Sequence, residues 1–180
     1  MLVDILRLII NTVFGLIALT LLARFFMQWA RVSFRNPGGQ FVLATTDWVV
    51  RPLRRFIPGL FGLDLATLLA AWVAQMLNLG LVLVLLGAPA SSLLAAVPLY
   101  ALLKLAQLAV YLIMGIVIVA VVLSWVAPHA PAAAVVNGLM RPFITPFRRI
   151  IPPLGGVDFS PLVLLLVLQV ILMALSRVSL

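Results

Sequence analysis

The sequence contains no cysteine and no glutamate, a single histidine, and four aspartates in 180 residues. Without cysteine the chain can form no disulfide, no thiolate metal site and no covalent c-type haem linkage. His129 stands beside Pro128 in a stretch read as a loop, so it has no partners for a metal site or a Ser-His pair. No HExxH, GxSxG or P-loop pattern occurs. With so little acid–base machinery, no enzymatic activity, cofactor or metal is expected. Charge is scarce altogether, at 9% of residues, against about 25% in soluble domains.

What is present is apolar. Hydrophobic residues make up 66% of the chain, and the mean hydropathy is +1.31. There is too little polar surface to clothe a water-soluble body, so lipid must cover much of the exterior. Four apolar runs emerge, at about Leu6–Ala30, Leu65–Leu86, Leu99–Ala127 and Pro161–Leu175. A span needs about twenty residues; the fourth run reaches that only if Phe159 and Ser160 also enter the membrane. The residues before the first run lack a cationic n-region, and the run is too long for a cleavable signal, so it reads as a retained helix.

The net charge is +8, and eleven of the twelve cations are arginine. In a membrane protein such a balance sets topology and contacts anionic headgroups; nucleic acid is not expected as a partner. Eight arginines lie in the first and third connections, the middle connection 87–98 has no charge, and Arg7, Lys104 and Arg177 lie near the opposite helix ends. The positive-inside rule then places the basic connections in the cytoplasm, with both termini and the short uncharged loop 87–98 outside.

The two basic connections match each other. Residues 52–64, PLRRFIPGLFGLD, align without a gap on 146–158, PFRRIIPPLGGVD. Arg54/Arg148, Arg55/Arg149, Pro58/Pro152, Gly62/Gly156 and Asp64/Asp158 pair at a constant offset, and the match runs on to Gln75/Gln169. Trp29 and Trp125 end the preceding runs at a similar offset. The expected architecture is an all-α membrane protein with four transmembrane helices. It forms a parallel two-fold repeat of helix, amphipathic basic segment and helix, because a period of two spans returns to the same side. The first repeat covers 1–86 with its interfacial segment at 40–63, and the second covers 99–180 with its segment at 132–157.

In each segment helical periodicity separates an apolar face from a polar one. Phe41, Thr45, Val49 and Phe56 oppose Asp47, Arg51, Arg54 and Arg55. In the second segment Val135, Val136, Leu139, Met140, Phe143, Ile144 and Phe147 oppose Asn137, Arg141, Thr145 and Arg148. Prolines 52, 142 and 146 argue against one unbroken helix. The expected shape is a short helix, a kink and a further turn, lying in the headgroup plane with guanidiniums on lipid phosphates. Pro58 and Pro152 then turn the chain, and Gly62 and Gly156 allow the tight re-entry. Asp64 is placed to cap the second span; in the second copy Ser160-Pro161 makes the better cap, freeing Asp158 to pair with Arg148 or Arg149. The motif reads as a structural hinge, and compatibly as a docking surface for anionic lipid or a partner.

This motif, Arg-Arg-x-Ile-Pro-x-x-Gly-x-Asp followed by an apolar helix carrying Gln and present twice, resembles the YggT family, which includes the YlmG proteins and chloroplast homologues. The second copy fits best, through Pro146, Arg148, Arg149, Pro152, Gly156, Asp158, Ser160 and Pro161, with Ser124-Trp125 before it. The first departs, with Ala66-Thr67 for Ser-Pro and Gln28-Trp29 for Ser-Trp. The resemblance implies a multi-pass protein of the bacterial cytoplasmic (inner) membrane without an established enzymatic activity. It also implies links to osmotic or potassium stress, to cell division, and to organisation or assembly in chloroplasts.

Within the spans the candidate polar residues are Arg24, Gln75, Asn78, Gln107 and Gln169, beside Asn11, Gln28 and Lys104. For Arg24, six residues before Ala30, snorkelling to the headgroups is preferred over a buried pair or a conduction role. Gln75 and Gln169 read as interhelical hydrogen bonds, preferred over a permeation site, with Asn78 and Gln107 in the same class. The leading expectation is a non-enzymatic scaffold or assembly factor that contacts anionic lipid and other membrane proteins or its own copies. The competing one is a subunit of a small oligomeric transporter or channel.

Overall fold

Long apolar runs with few helix breakers satisfy their backbone groups internally only as helices, the form a single span must take in lipid. The computed structural model describes residues 1–57, 59, 62–151 and 158–178. Among them are six helices and no strand: α1 (Leu2–Trp29), α2 (Pro37–Leu53), α3 (Leu65–Leu85), α4 (Ala90–Val126), α5 (Pro131–Ile150) and α6 (Ser160–Val178). α1, α3, α4 from Val97 onward, and α6 are long and apolar enough to cross a membrane. Their outward faces are apolar and open, as at Leu8 and Leu16 on α1 and at Leu162, Leu166 and Val170 on α6. α6 starts at Ser160, which supplies the length that the fourth run needed.

α1 and α3 form the most extensive pairing. Ala66, Ala70, Ala71 and Ala74 are buried on α3, and small side chains let helix backbones approach closely where no hydrophobic effect drives them together. α4 occupies the centre and packs on α1, α3, α5 and α6. α2 packs on α1 and α3, while α5 packs on α4 and α6. α5 also reaches the end of α1, where the Phe143 ring lies 5.6 Å from Phe26 and 5.3 Å from Trp29, centroid to centroid.

Two expectations are corrected here. The uncharged connection 87–98 is mostly helix: α4 begins at Ala90 with Pro98 inside it, and the backbone bends out of α3 at Gly87, whose φ is +73°. Nor do the prolines break the interfacial segments. α2 runs through Pro52 and α5 through both Pro142 and Pro146. Pro52 falls in the last turn and forfeits one bond, to the Trp48 carbonyl, just where the helix ends. Pro142 and Pro146 lie four residues apart, so both lost bonds fall on one helix face. Pro146 is exposed there, and carbonyls on an open face can tilt toward water.

Pro37 and Pro131 start α2 and α5, at a position where a missing N–H costs nothing. Their buried residues recur at the same sequence offset, Thr46 with Met140 and Val50 with Ile144. Phe41 and Phe56 of the expected apolar set are exposed, as is Trp48, so these rings turn away from the protein. α1 ends in a Schellman arrangement, the N–H of Arg31 bonding Gln28 O and that of Val32 bonding Met27 O. Arg31 therefore carries a φ of +54°, a left-handed conformation that costs a non-glycine residue roughly 1 kcal/mol.

Candidate functional site

The first hinge is built around a buried carboxylate. Asp64, 3% exposed, caps α3 by accepting from the Thr67 N–H at 3.3 Å and from the Thr67 hydroxyl. Arg54 closes on it, Nη2 donating to Oδ2 at 2.5 Å and Nε to Oδ1 at 3.4 Å. The same Nη2 donates to Gln28 Oε1 at 2.7 Å, tying the hinge to the last turn of α1. Burial works against ionising Asp64, but the bonds from Arg54 and Thr67 outweigh it and hold the carboxyl below its ordinary range. Gly62 turns the chain with a φ of +80°, which only glycine adopts without strain.

The second hinge is looser. Arg148 Nε donates to Asp158 Oδ2 at 2.8 Å, with both side chains substantially exposed. The counterpart of Thr67 is Pro161, which has no N–H to offer. Asp158 instead accepts from the Ser160 N–H at 2.9 Å, two residues on. Slight burial opposes ionisation here too, and the bonds from Ser160 and Arg148 prevail, lowering the carboxyl pKa. Pro58, Pro152 and Gly156 lie outside the described residues.

Arg24 corrects the snorkelling expectation. It is 3% exposed, because α2 covers it before it can reach the headgroups. Its Nη1 donates to Thr46 Oγ1 and to Asp47 Oδ1, both at 2.8 Å. Arg51 holds the other Asp47 oxygen at 2.7 Å. The result is an Arg24–Asp47–Arg51 ladder that clamps α2 onto α1, with Arg24 Nε left buried and unpartnered. Sequence reasoning placed Asp47 on an open polar face. The available signal was that an acid on the adjacent amphipathic helix was the nearest counter-charge for an intramembrane cation.

Each aspartate is thereby engaged: Asp4 by the N-terminal amine, Asp47 by Arg24 and Arg51, Asp64 by Arg54 and Asp158 by Arg148. Arg55, Arg141 and Arg149 are exposed and take no part in an ion pair among the described residues. The intramembrane amides are scattered. Gln75 and Asn78 are buried on α3, with Asn78 Oδ1 unpartnered; Gln107 is half-buried on α4, and Gln169 is exposed on α6. Clefts of about 460 Å³ beneath α2 and about 380 Å³ between α3 and α4 are lined by apolar side chains. Neither includes Arg24 or an amide.

Comparison with known proteins agrees with the hinge sequence. The family model described as CCB3/YggT matches residues 3–85 and 99–179. The YggT protein of Escherichia coli is 36% identical over 171 residues, covering 94% of this chain and 88% of its own. A protein of Pseudomonas aeruginosa is 36% identical over 165 residues, covering 91% and 84%. YlmG homolog protein 2, chloroplastic, of Arabidopsis thaliana is 46% identical over 56 residues, 30% of this chain and 22% of its own. No solved structure matches. On the family match across both halves and the identity along nearly the whole length, the chain belongs to the CCB3/YggT family.

Proposed function

We propose that this chain is a non-enzymatic scaffold or assembly factor of the bacterial inner membrane, built by duplication, with its basic connections cytoplasmic. The charged side chains support a holding role: Asp47, Asp64 and Asp158 are consumed in a clamp and two hinges that join segments of the chain, and the surplus arginines face outward toward anionic headgroups. The two family-model matches, at 3–85 and 99–179, and the recurring buried positions of α2 and α5 support the duplication.

The observation that carries the scaffold reading is Gln169. It is exposed at the middle of α6, where hydrocarbon offers its amide no hydrogen bond. The same register position in the first half, Gln75, is covered by neighbouring helices. An amide left open to lipid marks a helix face that a partner, or a second copy, completes. Cross-linking of Gln169→Cys in native membranes tests this. A specific adduct, to itself or to another membrane protein, is expected at position 169 and not at lipid-facing Leu162→Cys. Equal cross-linking at both sites, or none at either, overturns the reading. A reporter fused at the C-terminus is expected to be active only outside the cytoplasm.

A second reading, a subunit of a small oligomeric transporter or channel linked to ion homeostasis, draws on the unpartnered Arg24 Nε and Asn78 Oδ1 within the helix bundle. An ion flux in proteoliposomes that Arg24→Leu or Gln75→Leu abolishes would favour it over the scaffold.

A further inference from the structure

We propose that the groove between the end of α1 and α5 is a binding site for the headgroup of one anionic phospholipid molecule, with the phosphate held by Arg31, Arg35, Arg141 and Arg149. The inference deepens the lipid-contact part of the reading above and rests on it.

With every aspartate engaged, the counter-anion for the remaining arginines must come from outside the chain. Four of those arginines converge. One cleft of about 410 Å³ is lined by Arg31, Arg35 and Arg141, with Ser33 and Asn36. The adjoining cleft of about 430 Å³ is lined by Arg31, Arg141 and Arg149 beneath Trp29. The two share Ala30, Arg31, Gly138 and Arg141, so they form one continuous groove. All four arginines are exposed, and none makes a side-chain hydrogen bond or ion pair among the described residues. Guanidinium forks gathered around one concavity suit a phosphate, which accepts from several at once.

The backbone is shaped to make this groove. Arg31 occupies the left-handed position at which glycine would be unstrained, so what the arginine contributes is its side chain. Gly138 lets the loop close on α5: a Cβ there would lie 3.0 Å from Val32 Cγ2. The stretch from Trp29 to Pro37 is two residues longer than that from Trp125 to Pro131, and the longer stretch carries Arg31 and Arg35.

Depth and surroundings identify the source of the phosphate as lipid. Trp29, a residue type that favours the headgroup level, lines the groove. A separate apolar cleft of about 580 Å³ lies among α1, α4 and α5, walled by Leu19, Tyr111, Gly115, Val119 and Val136. An apolar cleft on the same two helices that flank the groove suits an acyl chain, which a free phosphate does not have.

The test is native mass spectrometry of the full chain from mild detergent, titrated with phosphatidylglycerol or phosphatidylcholine. The wild type is expected to retain one phosphatidylglycerol and no phosphatidylcholine. Arg31→Gln with Arg141→Gln is expected to weaken retention about 30-fold, taking roughly fivefold per guanidinium, whereas Arg7→Gln, near the other end of α1, leaves it unchanged. Arg31→Gly separates binding from folding, because it relieves the backbone while removing the charge: thermal stability holds or rises and retention falls about fivefold. Undiminished retention in the double variant overturns the groove. If Arg7→Gln alone lowers retention, lipid contact stands and this groove does not. If the wild type retains no phosphatidylglycerol, both fail. Displacement of the lipid by millimolar inorganic phosphate would reassign the groove to a soluble anion and overturn the proposal.

Discussion

The two halves of the chain spend their charges differently. In the first, Arg24 is buried and paired with Asp47 across the α1–α2 contact. In the second, the matching places hold Ala120, which is buried, and Arg141, which is exposed. The cation and its acid have both gone, and a new cation faces outward. The hinges diverge in the same direction. Arg54 meets a nearly inaccessible Asp64 and reaches Gln28 as well, while Arg148 meets a partly open Asp158 and Ser124, at the position of Gln28, bonds its own helix. One half uses arginine inwardly, to fix its own helices. The other leaves arginine available to lipid or a partner.

The strongest way to break this comparison is Asp47→Ala. It strands Arg24 in the interior, where loss of one partner of a buried pair costs about 3–5 kcal/mol. Arg141→Ala, at the same position of the second half, is expected to change stability by less than about 0.5 kcal/mol. Unfolding in detergent compares the two directly, and equal losses would erase the asymmetry. Replacing Arg24 and Asp47 together, by Met and Leu, is expected to restore most of the stability, because no buried charge is then left alone.

The hinges sharpen the comparison at smaller scale. Arg54→Ala leaves the buried Asp64 carboxylate with its Thr67 bonds alone and is expected to cost about 1.5–3 kcal/mol. Arg148→Ala removes a partly exposed pair worth about 0.2–1 kcal/mol. Both carboxyl groups sit below their ordinary pKa when folded. Their contribution is therefore complete above the unfolded value of about 3.9 and is lost as pH falls through the lower folded values. Stability is expected to be flat from about pH 5 to 8 and to decline only in stronger acid. In Arg54→Ala that decline begins at higher pH, since the group that most favours the charged form is gone.

Much of this was legible in the sequence, for identifiable reasons. Spans follow from composition, and the second hinge's ion pair follows from Asp158 being freed by the Ser160-Pro161 cap; the pairing of Arg54 with Asp64 was not read, because Asp64 was assigned to the cap. That capping role of Asp64 was itself visible. The Arg24 clamp was not, because periodicity assigns a residue to a helix face without saying which neighbouring helix covers that face. The continuity of α5 was missed because proline propensity is local, whereas the tolerance of Pro142 and Pro146 depends on their sharing an open face. Arg31 and Arg35 looked like ordinary topology determinants. Their convergence with Arg141 depends on a chain reversal and on the packing of Phe143 against Trp29, two long-range facts that spacing along the chain does not encode.

The smallest effect concerns the paired amides. Gln75 is buried without a hydrogen bond to its side chain among the described residues, so the amide has been desolvated with nothing to offset the cost. Gln75→Leu, close to it in volume, is expected to raise stability by about 1 kcal/mol and to leave association between chains unchanged. Gln169→Leu is expected to do the reverse, with little effect on unfolding and weaker cross-chain contact, because its amide has no cover within the chain. A loss of stability in Gln75→Leu, measured by unfolding in detergent, would show that its amide is bonded in the membrane after all. Gln75 would then hold helices together within its own half while Gln169 still awaits a partner from outside the chain, and the contrast between the halves would extend from their charges to their amides.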